Sequence, residues 1–89
     1  MTDLKDIRKD IDAIDETLIA LFMERMEKSR LVAEYKKEKG MPIFSPEREE
    51  EILAWAYGEA DEGMGEYAQE FFKSLMDISK KYQSELLGL

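Results

Sequence analysis

The first third of the sequence carries an apolar pattern that only a long helix can place on one side of the chain. Apolar residues recur at alternating intervals of three and four, as about 3.6 residues per helical turn requires: Leu4, Ile7, Ile11, Ile14, Leu18 and Leu21. No Pro or Gly interrupts the chain before Gly40. The pattern predicts a helix from about residue 3 to residue 39, with Thr2 or Asp3 as its N-cap. At about 1.5 Å per residue the helix is roughly 55 Å long, a length that favours coiled-coil-like association.

Two shorter helices are predicted after the first. Gly40 is a C-cap candidate, and the Ser45-Pro46 pair is typical of an N-cap followed by the first helical position. We expect the second helix to run to about residue 60 and the third from about residue 66 to 87, because a glycine-rich turn separates them. Since no β pattern occurs, the predicted fold is all-α, with one long, one short and one medium helix in a single domain over residues 1–89.

The segment between the first two helices is predicted to be a short extended connection, because Pro42 restricts its neighbour to extended geometry. Ile43 and Phe44 are expected to anchor this connection in the core.

Composition restricts the chemistry and the partners. The 89 residues include no Cys and no His, which excludes disulfides, thiolate or imidazole metal ligands and haem ligation. A domain of this size has a marginal core. We therefore expect oligomerisation to provide further stability. The net charge of −8 argues against nucleic acid or an anionic membrane as partner. No apolar run could span a membrane, no signal peptide is recognisable, and the absence of Cys fits a cytoplasmic protein.

Two cations interrupt the apolar side of the first helix. Arg25 occupies the next position on the apolar line, and Lys36 lies 11 residues later, about 20° around the helix at 100° per residue. The two share a face and are roughly 16 Å apart along the axis. A cation on an inward face needs an anion. Arg25 could therefore pair with an internal glutamate, extend its charged end to solvent, or bind a ligand, and Lys36 could be an ordinary helix-terminal lysine.

Four further polar residues could face the junction of the three helices. Arg48 and Glu49 open the second helix, and Ser79 and Gln83 lie one turn apart beside the apolar stripe of the third. Each has an ordinary alternative, as part of a solvated acidic turn or as a border residue. Together with Arg25 and Lys36 they favour ligand binding and charge stabilisation rather than nucleophilic attack.

Arg8 adds a geometric constraint. It precedes Arg25 by 17 residues, roughly 25 Å along a helix, which is too far for two arginine side chains to share one ligand. Arg8 is therefore either a surface residue or part of a site completed by another chain in an antiparallel pairing of long helices.

Taken together, these residues and spacings resemble the all-α chorismate mutases. The residues that carry the resemblance are Arg8, Arg25, Lys36, Arg48, Glu49, Ser79 and Gln83, with the segments I-R-K-D-I-D-A-I-D-E-T-L-I-A-L-F-M-E-R, V-A-E-Y-K-K and P-I-F-S-P-E-R-E. It covers almost the whole chain and is weakest from about residue 57 to 67. It implies a small, monofunctional enzyme, folded as an intertwined helical homodimer with two equivalent sites. The implied reaction is the Claisen rearrangement of chorismate to prephenate, towards phenylalanine and tyrosine, without cofactor or metal.

The resemblance also implies roles for the cations and the amide. Arg25 would grip one substrate carboxylate, Arg8 of the partner chain would grip a carboxylate from across the dimer, and Arg48 would assist at the carboxylate end. Lys36 and Gln83 would donate hydrogen bonds to the ether oxygen as it gains negative charge.

Three further residues are implied to complete the site. Glu49 would accept a hydrogen bond from the ring hydroxyl of the substrate, and Ser79 would contact a carboxylate or form part of the pocket wall. Ser45 stands where many relatives have Asp near the ring hydroxyl. Serine can still form a hydrogen bond but lacks the charge, so we expect weaker binding rather than loss of activity.

Two alternatives differ in their consequences. An isochorismate pyruvate lyase on the same fold would use the same carboxylate contacts, although Glu49 and the hydroxyl-binding residues favour the mutase. A helical dimerisation or regulatory module without catalysis would explain the apolar repeat and the acidity. It would not explain why Arg25, Lys36 and Gln83 occur together.

Overall fold

The computed structural model describes residues 3–89, which form three α-helices. These are α1 (Leu4–Lys39), α2 (Pro46–Glu59) and α3 (Gly65–Leu86). No strand occurs within this part of the chain. The predicted all-α fold is confirmed, and each helix begins and ends within one residue of the predicted positions.

The ends of α1 are determined by local backbone chemistry. The Asp3 carboxylate accepts a hydrogen bond from the backbone N–H of Asp6 at 2.9 Å, which satisfies a donor in the first turn. The other predicted cap, Thr2, lies outside the described residues. Gly40 adopts a left-handed conformation with φ 67°, and its N–H bonds to the carbonyls of Lys36 and Lys37. The helix therefore stops where the chain must turn back towards its own last turns.

Ser45 occupies the N-cap of α2 and Pro46 its first turn, as predicted, but the Ser45 side chain makes no capping hydrogen bond.

The turn between α2 and α3 is tight. At the start of α3, a side chain on Gly65 would bring a Cβ 2.5 Å from the ring of Tyr57. Glycine is therefore required there for the two helices to approach.

Helix α3 packs against both α1 and α2 and forms the centre of the molecule. The buried apolar residues are Ala33 of α1, Ala56 of α2 and Met76 of α3. Two small side chains let the helices approach closely, but they bury little apolar surface. The core of one chain is small, as the chain length predicts.

The expectation that both Ile43 and Phe44 anchor the connection in the core is only half correct. Ile43 is half-buried, whereas Phe44 is 53% exposed. The prediction for Phe44 is wrong because its ring lies under the ammonium group of Lys80, 4.6 Å from the ring centroid, in a cation–π contact at the surface.

The N-terminal half of α1 leaves its apolar line uncovered. The residues that predicted the helix are 43–59% exposed: Leu4, Ile7, Ile11, Ile14, Leu18 and Leu21. The chain measures 57 × 25 × 16 Å along its principal axes, consistent with a long α1. None of the described helices has an apolar stretch sufficient to cross a membrane.

Candidate functional site

A cleft of about 280 Å³ lies where the C-terminal half of α1, the start of α2 and the middle of α3 meet. It brings together seven of the eight predicted site residues: Arg25, Lys36, Ser45, Arg48, Glu49, Ser79 and Gln83. The α1 wall is formed by side chains spaced three and four residues apart, which a straight helix places on one face. Arg8 is exposed on α1 and does not line this cleft.

Lys36 is held in the cleft by the connection that follows α1. Its ammonium group donates a hydrogen bond to the backbone carbonyl of Ile43 at 2.7 Å. An ammonium group carries three protons, so two remain for other acceptors. Gly40 makes this contact possible, because it turns the chain back over the last turn of α1.

Arg25 and Lys36 have no counter-ion among the residues that the structure describes. Within residues 3–89, neither forms an ion pair with a carboxylate, although other cations do. Both side chains are partly buried. Within the described chain, the alternative that Arg25 pairs with an internal glutamate is therefore excluded. The positive charges of Arg25 and Lys36 face the cleft.

Arg48 lies at the mouth of the cleft. It pairs with Glu51 one turn later on α2, with a nitrogen–oxygen distance of 3.0 Å, and both side chains are about two-thirds exposed. An ion pair so open to water contributes little stability. The guanidinium can therefore exchange this carboxylate for another anion at small cost.

The only carboxylate among the predicted site residues, Glu49, is already paired. Its side chain is 14% exposed and lies 2.8 Å from the ammonium of Lys80 and 3.6 Å from that of Lys73. Lys80 is the closer partner of Glu49. Lys73 instead donates a hydrogen bond to Asp77 at 2.9 Å. That hydrogen bond is the main cause of a raised pKa for Lys73 and a lowered pKa for Asp77. Glu49 is thus oriented by Lys80.

Ser29 forms a hydrogen-bonded chain with Ser79 and Gln83. The Ser29 hydroxyl donates to the carbonyl of Arg25 at 3.1 Å and lies 2.7 Å from the Ser79 hydroxyl. Gln83 donates through Nε2 to the Ser79 oxygen at 3.0 Å. The side chains of Ser29, Ser79 and Gln83 are all buried. Among the residues that the structure describes, no donor reaches the buried Oε1 of Gln83.

Three polar residues of the cleft were not predicted as site residues: Lys28, Ser29 and Lys80. Periodicity does place Ser29 on the helical face that joins Arg25 to Lys36, but it gave no reason to assign Ser29 a role. Lys80 is adjacent to Ser79, about 100° around α3, and only the packing of α2 against α3 brings it to Glu49.

The donors of this cleft suit an anionic, oxygen-rich ligand. Guanidinium and ammonium groups bind carboxylates, and the amide and hydroxyl groups form directional hydrogen bonds. Across residues 3–89, no group of three or more His, Cys, Asp or Glu side chains could hold a metal ion.

The sequence matches the family model for chorismate mutase type II over residues 7–84. It is 32% identical to a bifunctional chorismate mutase/prephenate dehydratase of Aquifex aeolicus, an alignment that covers 99% of this chain and 27% of that protein. It is 47% identical over 49 residues to a chorismate mutase of Methanocaldococcus jannaschii, covering 55% of this chain and 50% of the relative. A T-protein of Haemophilus influenzae is 45% identical over 53 residues, covering 60% of this chain and 14% of that protein.

The chain thus spans half or less of the length of these relatives. No solved structure gave a significant match. The family match covers all of α2, most of α1 and α3, and every predicted site residue from Arg8 to Gln83. The chain belongs to the type II chorismate mutase family.

Proposed function

We propose that this protein catalyses the Claisen rearrangement of chorismate to prephenate, in the synthesis of phenylalanine and tyrosine. The observation that carries the proposal is that Arg25 and Lys36 face one cleft without a carboxylate partner among residues 3–89. A dicarboxylate substrate would supply the missing negative charge. Family membership supports chorismate as that dicarboxylate.

The reaction suits the chemistry of the cleft. The rearrangement is unimolecular: the ether carbon–oxygen bond breaks as a carbon–carbon bond forms, and no group leaves the molecule. It needs neither a nucleophile nor a proton relay. The protein must hold the dianion in a compact, diaxial conformer and stabilise negative charge that develops on the ether oxygen.

The arginines would hold the two carboxylates. Arg25 would bind one through its guanidinium fork, and Arg48 would leave its exposed pairing with Glu51 to assist at the same end. Arg8 would approach from a second copy of the chain, because it lies about 25 Å along α1 from Arg25. Together they would favour the conformer in which the reacting carbons are close.

Lys36 and Gln83 would stabilise the ether oxygen. Lys36 has two protons left after its bond to Ile43, and Gln83 has one N–H left after its bond to Ser79. Losing one preorganised donor of this kind costs about 3–4 kcal/mol. Since the low end of enzymatic catalysis is roughly 8 kcal/mol of barrier, two such donors would supply most of the acceleration.

The remaining residues would define the other walls of the site. Glu49 would accept a hydrogen bond from the ring hydroxyl while remaining paired with Lys80. Ser45, whose hydroxyl does not cap α2, would be free to contact the same hydroxyl. Ser79 would form the pocket wall beside Gln83.

The active form would be a homodimer. The exposed apolar line of α1 is the surface that a second α1 would cover, and covering it would compensate for the small core. An antiparallel arrangement would bring Arg8 of one chain towards the Arg25–Lys36 wall of the other, completing two equivalent sites. A cytoplasmic location fits the absence of Cys.

The direct test is loss of chorismate absorbance with purified protein, together with chromatographic identification of prephenate. The control is the Arg25→Ala variant, in which the proposed carboxylate contact is lost, prepared identically. A parallel incubation with isochorismate tests the lyase alternative by its products, salicylate and pyruvate. Turnover of isochorismate alone, or no turnover of either compound by folded protein, would overturn the proposal.

A further inference from the structure

Only one set of directions gives each of the three contacts in this buried group between α1 and α3 its own proton. Ser29 donates its single proton to the Arg25 carbonyl, which can only accept. Ser79, 2.7 Å away, must then donate its own proton to the Ser29 oxygen. With that proton used, the Ser79 oxygen can only accept at its remaining contact, and it receives the Nε2–H of Gln83 at 3.0 Å.

This direction determines which end of the Gln83 amide faces Ser79. If the amide were turned by 180°, Oε1 would lie against the Ser79 oxygen, and neither atom would have a proton to share. The turned amide would therefore lose a hydrogen bond and place two buried acceptors side by side, which is unfavourable. The direction in which Ser29 donates its proton thus determines the orientation of the Gln83 amide, and Ser79 transmits this effect.

We infer that Ser29 is a positioning residue, which acts through Ser79 to hold the Gln83 amide with its N–H end at Ser79 and its second N–H available to a ligand. The inference rests on the proposed function, in which that N–H stabilises the ether oxygen. Ser29 itself need not touch the substrate. Its hydroxyl is consumed by Arg25 and Ser79, and its side chain is 6% exposed.

Removal of the Ser29 hydroxyl releases the constraint. In Ser29→Ala, the Ser79 proton has no acceptor on α1 and becomes available to Gln83 Oε1. The turned amide is then no longer penalised. It would present its carbonyl where the developing negative charge requires a donor, so the expected loss is in kcat rather than in KM.

The kinetic test is a double-mutant cycle. Ser29→Ala should lower kcat about tenfold, the size of one buried hydrogen bond, with KM within about twofold of wild type. In a Gln83→Ala background, the same substitution should change kcat no further, because its effect passes through the amide. Ser74→Ala, an exposed serine of α3, is the matched control and should leave kcat unchanged. Equal losses in both backgrounds would overturn the inference.

A second measurement does not depend on turnover. The chain has two glutamines and no asparagine, so its nitrogen-edited NMR spectrum contains two side-chain amide pairs, and Gln83→Ala identifies one of them. In Ser29→Ala both Gln83 resonances should shift and their hydrogen exchange accelerate. The Gln69 pair, which donates to the Leu53 carbonyl, should not change. An unchanged Gln83 pair would overturn the inference even if the protein rearranges chorismate. A shifted pair in a protein without turnover would uphold the positioning and overturn the proposed function instead.

Discussion

The ammonium group of Lys36 donates a hydrogen bond to the backbone carbonyl of Ile43 at 2.7 Å, joining the last turn of α1 to the connection that follows it. This contact orients a flexible side chain before any ligand binds. We therefore expect Lys36→Ala to lower kcat by about 100-fold or more, because a preorganised charged donor is lost. Steady-state kinetics with chorismate checks this.

The matched control is Lys37→Ala, which removes an exposed lysine from the same turn. It should leave kcat within about twofold of wild type, since surface charges contribute little. Near-wild-type turnover of Lys36→Ala would contradict the proposed role at the ether oxygen.

A site shared between chains predicts complementation. Arg8→Ala and Arg25→Ala homodimers should each be poor enzymes. In a mixed dimer, one site would have Arg25 from one chain and Arg8 from the other, and both lesions would fall in the second site. An equal mixture after subunit exchange should recover about a quarter of wild-type activity, because half of the dimers are mixed and each has one intact site of two.

Subunit exchange must be verified independently, for example by native mass spectrometry of differently tagged chains. If mixed dimers form and activity does not recover, Arg8 does not act across the dimer.

The apolar line of α1 predicts where the proposed dimer can be broken. Ile14 is 59% exposed in one chain, and burying a lysine in its place would be costly in the proposed seam. Ile14→Lys should shift sedimentation from dimer to monomer. Glu16→Lys introduces the same residue about 200° around the helix and should remain dimeric. A dimeric Ile14→Lys variant would place the interface elsewhere.

Ser45 predicts a gain of binding on substitution. Its hydroxyl does not cap α2, so Ser45→Asp should add a charged acceptor near the ring hydroxyl without loss of a structural bond. Hydrogen bonds to charged groups are about twice as strong as neutral ones, so we expect KM to fall about fivefold with little change in kcat. A higher KM for Ser45→Asp than for wild type would exclude a ring-hydroxyl contact at this position.

The pairing of Lys80 with Glu49 predicts an effect on stability. In Lys80→Met, the mostly buried Glu49 carboxylate would lose its partner at 2.8 Å, so the free energy of unfolding should fall by about 1–2 kcal/mol. Lys73→Met is the control, because Lys73 lies 3.6 Å from Glu49 and is half-exposed, and its loss should be clearly smaller. Urea denaturation at one fixed protein concentration checks both, since dimerisation would make stability concentration-dependent. Equal losses would contradict the assignment of Lys80 as the main partner.

Local chemistry in the sequence was sufficient for the helices and their ends. The three- and four-residue spacing from Leu4 to Leu21, the αL glycine at Gly40 and the Ser45-Pro46 pair act over a few residues, so their consequences follow without tertiary contacts. The same periodicity placed Arg25 and Lys36 on one face. Reasoning from helix faces also pointed Arg48, Glu49, Ser79 and Gln83 towards the junction of the three helices, and resemblance to a known family added Ser45. The cleft contains all five residues.

Only the tertiary structure decided which side chains pair with one another. Ser29 and Ser79 are 50 residues apart in sequence, and Glu49 and Lys80 are 31 apart, yet each pair joins two helices. The helical period relates residues within one helix and cannot predict such pairs. The prediction that Phe44 is buried was wrong. Its apolar character suggested burial, but Lys80 of α3 covers its ring at the surface. Periodicity determines the face on which a residue lies. The partner that meets this face depends on how three helices pack, and this packing left Arg25 and Lys36 without a carboxylate in the described chain.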